Sequence, residues 1–179
     1  MTGVAGVYGQ ALYDLARDEG FAEGIGAELK EIRGILSETP DFVRLLSNPS
    51  IPMAERLAVV DEAFRGRVHA YVLNFLKILT EKGYMQTFPE CCKVYRNCYN
   101  ADHNILPVVA TTALPLNEVQ AAKLRRKLSA ITGQQIELEN RIDPACLGGV
   151  RIDYDGKRVD DTVTGRIERL HNMLKDIAF

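Results

Sequence analysis

A mostly α protein, with an N-terminal six-helix bundle over residues 1–104 followed by a small α+β C-terminal domain over residues 105–179, is the fold this sequence predicts. Apolar residues recur at intervals of three and four through the first hundred positions, the signature of amphipathic helices. Glycine, proline and polar clusters cut that stretch into six segments with short links, so consecutive helices pack antiparallel. After His103-Asn104 the period changes to two and hairpin turns begin, which places a domain boundary there.

The first helix carries Val4, Val7, Tyr8, Ala11, Leu12 and Leu15 on one face, with Tyr13 outside that stripe, and ends at Asp18-Glu19-Gly20. Phe21, Ile25, Leu29, Ile32 and Leu36 mark the second, which stops before Pro40 because the residue preceding a proline avoids helical angles. A short third segment holds Phe42, Leu45 and Leu46, and Pro49 and Pro52 stiffen the loop after it. The fourth helix turns Leu57, Val60 and Phe64 inward and breaks at Gly66. The fifth has the cleanest period, Val68, Tyr71, Val72, Phe75, Leu76 and Leu79, with Gly83 supplying a left-handed cap. The sixth is predicted from about Tyr84, through Phe88, Cys91, Cys92 and Tyr95, to Tyr99. No charged residue is expected on these buried stripes.

Beyond residue 104, Val108 to Thr112 is a β-branched strand. Asn117 and Gln120 have the spacing of a capping box and open a helix with Val119, Leu124, Leu128 and Ile131 inward, closed by Gly133. Ile136, Leu138, Asn140 and Ile142 alternate as a half-buried strand. Val150, Ile152 and Tyr154 alternate again before the hairpin signal Asp155-Gly156. A last helix is expected with Val163, Ile167, Leu170, Leu174 and Ile177.

Composition narrows the function. A net charge of −2 argues against a nucleic-acid binder and against a polybasic membrane anchor. No apolar run approaches the ~18 residues needed to span a bilayer, and the first ten residues lack the basic-then-apolar pattern of a signal peptide. Cys91, Cys92, Cys98 and Cys146 do not form a disulfide framework; they read as free thiols in a reducing compartment.

The search for chemistry returns no active site. Cys91, Cys92, Cys98 and His103 are soft ligands close in sequence, but no CxxC pair is present, and Cys91 and Cys98 share the stripe of Tyr84, Phe88, Tyr95 and Tyr99. Cysteine behaves there as a small hydrophobe. His69, His103 and His171 lie in separate segments without ligand spacing. Gly148-Gly149 follows a turn and precedes a strand, the wrong order for a phosphate loop, and reads as a tight bend. Lys123, Arg125, Arg126 and Lys127 read as a solvated helix face. Asp143, Asp153, Asp155, Asp160 and Asp161 lack calcium-loop spacing and read as turn residues and caps.

Several segments resemble one family in order and spacing. They are Tyr8-Gly9-Gln10-Ala11-Leu12-Tyr13-Asp14-Leu15-Ala16, Leu46-Ser47-Asn48-Pro49-Ser50-Ile51-Pro52, Phe75-Leu76-Lys77-Ile78-Leu79 with Lys82-Gly83, Thr112-Ala113-Leu114-Pro115-Leu116, and Ile142-Asp143-Pro144-Ala145-Cys146-Leu147-Gly148-Gly149-Val150. Val159-Asp160 and Val163, Arg166, Ile167 and Leu170 complete the set. Together these resemble the delta subunit of F-type ATP synthases, the oligomycin-sensitivity-conferring subunit family. Gly9, Gln10, Tyr84 and Asp161-Thr162 depart from the family's usual residues.

The resemblance implies a non-catalytic peripheral-stalk subunit with no cofactor and no metal. Residues 1–104 would bind N-terminal helices of the alpha subunits, and residues 105–179 the b-subunit stalk, so that the catalytic head resists rotary torque. It implies no nucleic acid, no small-molecule substrate, and a place on the cytoplasmic side of the cell inner membrane, reached only through the complex. It further implies a groove between the first and fifth helices lined by Tyr8, Ala11, Leu12, Leu15, Asn74, Phe75, Ile78 and Leu79. Of these, Ile78 is the one expected to be both apolar and outside the core. The competing reading is a free-standing helical adaptor that receives an amphipathic partner helix.

Overall fold

A computed structural model describes residues 3–162. Among these the chain is mostly helical, with a small four-stranded sheet towards its C-terminal end. Two compact units divide between Tyr99 and Asn100. The expected last helix, with His171, lies outside the described residues.

In the first unit α1 (Val4–Asp18), α2 (Ala22–Glu38), α3 (Pro40–Ser47), α4 (Met53–Phe64) and α5 (Ala70–Glu81) follow one another, then a 3-10 turn, Met85–Thr87, leads into α6 (Phe88–Asp102). The glycines set the helix ends. Gly20 and Gly83 adopt φ of 76° and 73°. After α5 the Tyr84 amide donates to the Leu79 carbonyl at 2.7 Å and Gly83 to Thr80 at 3.2 Å, a Schellman closure that satisfies the last carbonyls. Phe21 to Ala16 and Gly20 to Arg17 repeat it after α1. The 3-10 turn delays the sixth helix, so the expectation that Tyr84 opens it fails: Tyr84 is exposed and Met85 takes the buried place.

One apolar cluster fills this unit. Ile25, Leu29, Ile32 and Leu36 of α2 meet Val72, Leu76 and Leu79 of α5 and Phe88, Cys91 and Tyr95 of α6. The first helix is rotated from its expected setting. Its buried face is Gly9, Leu12, Tyr13 and Ala16, while Val4, Val7, Ala11 and Leu15 stay exposed. Tyr13, expected outside the stripe, is only 2% exposed and meets Tyr95 edge-to-face at 5.3 Å. The Tyr95 hydroxyl donates to the Ala22 carbonyl at 2.8 Å. The period alone selects the arc richest in aliphatic residues; packing selects the arc that carries Gly9 and Ala16, whose small size permits a close helix crossing, with Tyr13 filling the core beside them. A Cβ on Gly9 would stand 2.6 Å from the Cys91 carbonyl oxygen and 2.9 Å from the Val94 Cβ.

The expectation of uncharged buried stripes also fails. Arg56 of α4 is buried and donates to three main-chain carbonyls: Ile51 at 3.1 Å, Leu46 at 3.1 Å and Thr80 at 3.0 Å. Nearer the surface Asp61 of α4 pairs with Lys77 of α5 at 2.7 Å and with Arg65 at 2.9 Å. The Lys77 hydrogen bond holds the Asp61 carboxyl below its ordinary range; desolvation opposes this and Arg65 supports it.

In the second unit β1 (Ile105–Thr112), α7 (Glu118–Thr132), β2 (Gln135–Ile142), β3 (Val150–Tyr154) and β4 (Lys157–Asp160) form a sheet in the order β2-β1-β3-β4. α7 carries the chain between the parallel pair β1 and β2, and the other two pairings are antiparallel. The capping box is complete: the Gln120 amide donates to Asn117 Oδ1 at 2.8 Å and the Asn117 amide to Gln120 Oε1 at 3.0 Å. Asp155 and Gly156, with φ of 45° and 70°, turn the β3–β4 hairpin.

Leu106, Val108 and Ala110 share a sheet face with Ile136, Leu138 and Asn140, by register. The opposite face carries Glu137, Glu139 and Arg141 beside Arg151, Asp153 and Arg158. Arg158 meets Asp153 at 2.6 Å and Arg141 meets Glu139 at 2.8 Å. α7 packs against β2 through half-buried Leu124 and Leu128, but Val119 is 77% and Ile131 81% exposed, contrary to the expected inward stripe. Val119 lies about 140° round the helix from Leu124 and so falls off the narrow strip that a helix buries on one layer of sheet, whereas Ile131 shares the Leu124 face but stands in the last turn of α7. Ile142, expected to be half-buried, is likewise exposed at the end of β2. At Gly149, φ is 83° and a Cβ would collide with the Asp161 carbonyl oxygen, so both conformation and space require glycine.

Two outcomes follow from this packing. Gly9→Val, whose helix propensity is no worse than glycine's, is expected to cost about 1–3 kcal/mol in urea denaturation by forcing α1 from α6; unchanged stability would show the crossing is loose. Because folding lowers the Asp61 pKa, its stabilisation is present above the usual carboxylate range and lost as pH falls through it. Melting curves of Asp61→Asn should therefore depend less on acid than those of the wild type.

Candidate partner-binding face

On α1 the buried face leaves Val4, Val7, Ala11 and Leu15 in water, spaced by three, four and four residues. At 100° per residue they form one stripe, joined to the core through half-buried Tyr8 and buried Leu12. Val7 is 61% and Leu15 41% exposed. α5 offers a shorter counterpart: Ile78 is 42% exposed and Asn74 is exposed beside it.

Two ring contacts give the helices their relative direction. Tyr8, early in α1, lies 6.3 Å from Tyr84, just past α5, and Phe21, just past α1, lies 5.0 Å from His69, which caps α5. α1 and α5 are therefore antiparallel neighbours. The Asp61–Lys77 pair places α4 beside Lys77 of α5, and Ile78 stands 100° further round the helix. Tyr8 faces Tyr84, just past the end of α5, and the exposed stripe of α1 runs beside Tyr8.

Of the eight residues expected to line a groove, Ala11, Leu15, Asn74 and Ile78 are exposed and Tyr8 is half-buried. Leu12, Phe75 and Leu79 lie in the core beneath. Ile78 is not the lone apolar residue outside the core, since Leu15 is equally exposed. Val4, Val7 and Tyr84, outside that set of eight, are exposed as well. Val4 and Val7 are legible in the period of α1, but that period places them on the stripe expected to face the core.

The other candidate residues have structural duties. Cys91 and Cys92 are buried; Cys91 Sγ lies 3.9 Å from the Thr87 hydroxyl, and Cys92 Sγ points at the Leu29 carbonyl at 3.9 Å. Burial pushes both thiols up, Cys92 to about 12. Cys98 is half-buried. Among the described residues no group of three His, Cys, Asp or Glu could hold a metal ion. His69 caps α5, its Nδ1 accepting from the Tyr71 amide at 3.3 Å while its own amide donates to Glu28 at 2.8 Å. Asp143 accepts from the Ala145 amide and Asp160 from that of Thr162, as turn residues. Lys123, Arg125, Arg126 and Lys127 are exposed on α7.

The model of the ATP synthase delta (OSCP) subunit family matches residues 4–174. A protein named ATP synthase subunit delta from Moorella thermoacetica is 34% identical over 172 residues, covering 96% of each chain. One of the same name from Gloeobacter violaceus is 31% identical, covering 93% of this chain and 91% of that one. In fold, the chain matches one in a Toxoplasma gondii mitochondrial ATP synthase hexamer with a TM-score of 0.68 at 19% identity, over 96% of this chain and 97% of that one.

The thiol environments give a direct check. In native protein near pH 8 a thiol reagent should label Cys98 first, with Cys91 and Cys92 released only on unfolding, since the thiolate is the reactive form. Because folding raises the Cys92 pKa, stability should decline as pH climbs above about 9. Rapid labelling of all four thiols at neutral pH would contradict both burial and direction.

Proposed function

This chain belongs to the ATP synthase delta (OSCP) subunit family, and from that membership we propose that its α1–α5 groove receives the N-terminal helix of an alpha subunit. It is a non-catalytic component of the peripheral stalk, a structural stator subunit of an F-type ATP synthase. No helix among the described residues is long and apolar enough to cross a membrane, so its membrane association is through the complex.

Beyond that, residues 1–104 act as a six-helix bundle bound to the catalytic head, and residues 105–179 as an α+β domain bound to the b-subunit stalk. The assembly stands on the cytoplasmic side of a bacterial inner membrane and holds the head against rotary torque. The observation that supports the head-binding half is the exposed apolar stripe of α1. Leu15, Ala11, Val7 and Val4 are exposed at helical spacing on α1 and Ile78 is exposed on neighbouring α5, and an amphipathic helix docks by laying its apolar face along such anchors.

Losing one buried aliphatic contact costs about 1.5–3 kcal/mol, roughly a ten- to hundredfold weaker complex. Aspartate at such a position should cost at least that, because it also buries a charge. Titrating a synthetic alpha-subunit N-terminal peptide against wild type, Ile78→Asp and Leu15→Asp should show that loss in both variants, with melting temperatures near wild type because both side chains are exposed. Equal affinities would move the site off this groove.

A further inference from the structure

We infer that Arg56, which no partner touches in the reading above, is a positioning residue for the groove: it fixes the last turn of α5 and with it the exposed residues on that wall. This rests on the groove reading. Arg56 Nη1 donates to both the Leu46 and the Thr80 carbonyls, and Nε donates to the Ile51 carbonyl. Leu46 lies in the last turn of α3 and Thr80 in the last turn of α5. Each carbonyl is at the negative end of a helix dipole, the place a cation is favoured. The guanidinium thus joins two helix ends and the loop between α3 and α4, with all three of these bonds made to main chain.

Thr80 is the point where that grip reaches the groove. It is fully buried, and its hydroxyl donates to the Leu76 carbonyl at 2.8 Å. Its carbonyl accepts from Gly83 as well as from Arg56. Ile78 stands two residues before Thr80, its carbonyl accepting from the Lys82 amide at 3.0 Å; Tyr84 follows Gly83 and faces Tyr8. The two exposed apolar residues at this end of the wall therefore flank the carbonyl that Arg56 holds. A lysine cannot replace it, because one ammonium lacks the planar fork that reaches carbonyls on three segments.

The test uses the full chain and the alpha-subunit N-terminal peptide, titrated well below each variant's melting temperature. Arg56→Lys and Arg56→Met are expected to bind at least tenfold more weakly. Ile25→Ala, a core cavity near the other end of α5, is expected to lose stability but keep its affinity. In the wild type, the Gly83 and Tyr84 amides should exchange with solvent only as slowly as the chain unfolds globally. Full affinity in either folded Arg56 variant overturns the assignment, as does an equal loss in Ile25→Ala. Fast exchange at Gly83 and Tyr84 also overturns it, and that measurement decides should neither Arg56 variant fold. Ile78→Asp separates the levels. Weak binding by Ile78→Asp beside full binding by the Arg56 variants removes only Arg56; full binding by Ile78→Asp removes the groove as well.

Discussion

A buried guanidinium with three carbonyl partners is the constraint around which the helical unit is arranged. Taking a cation out of water costs several kcal/mol unless its hydrogen bonds are replaced. Arg56 is repaid by the carbonyls of Leu46, Ile51 and Thr80, and those carbonyls in turn depend on it. This gives a physical purpose to the Leu46–Ile51 stretch, whose Leu-x-Asn-Pro-x-Ile pattern is otherwise only a signature. Pro49 carries no amide donor, and Asn48 Oδ1 accepts from the Ser50 amide at 3.0 Å, curling the loop so that both of its ends offer a carbonyl to one side chain. α3, α4 and α5 are thereby registered by one residue as well as by apolar contact.

That registration matters because the first unit divides its apolar surface between two uses. Leu12, Phe75 and Leu79 are core; Leu15, Val7 and Ile78 remain in water a turn away. A stator subunit performs no chemistry, so on the proposed docking reading its function depends on how well that surface keeps its shape under load. Here the polar groups do that work. They appear as Schellman closures after α1 and α5, as the Asp61 bridge from α4 to α5, and as the His69 cap. The cysteines belong to the same picture, since burial disfavours their thiolates and leaves them as packing residues.

The second unit uses polar groups differently. Asn140, on the sheet face shared with α7, donates through Nδ2 to the Ala110 carbonyl and the Thr112 hydroxyl and accepts from the Leu116 amide. It therefore ties β2 to β1 and to the chain entering α7, which strand alternation could not reveal. The opposite face carries ion pairs, each weak in solvent: Arg141–Glu139 along β2, and Arg158–Asp153 across β4 and β3 in keeping with their register.

The sequence by itself determined the helix and strand types, their order, the Asn117–Gln120 capping box, the Gly83 and Gly133 stops and the Asp155-Gly156 hairpin. Those features are local: each depends on residues within a few positions, so period and turn chemistry suffice to read them. It also determined family membership, because ordered short motifs survive along the chain. Tertiary structure alone decided which arc of α1 is buried. A helix with apolar residues over more than half its circumference gives no local reason to bury one side, and the close approach of α6 at Gly9 settles the choice. The same holds for Arg56, whose three acceptors lie five, ten and twenty-four residues away. A charge on a buried face is legible only when the carbonyls that satisfy it have been brought together, and only the folded chain does that.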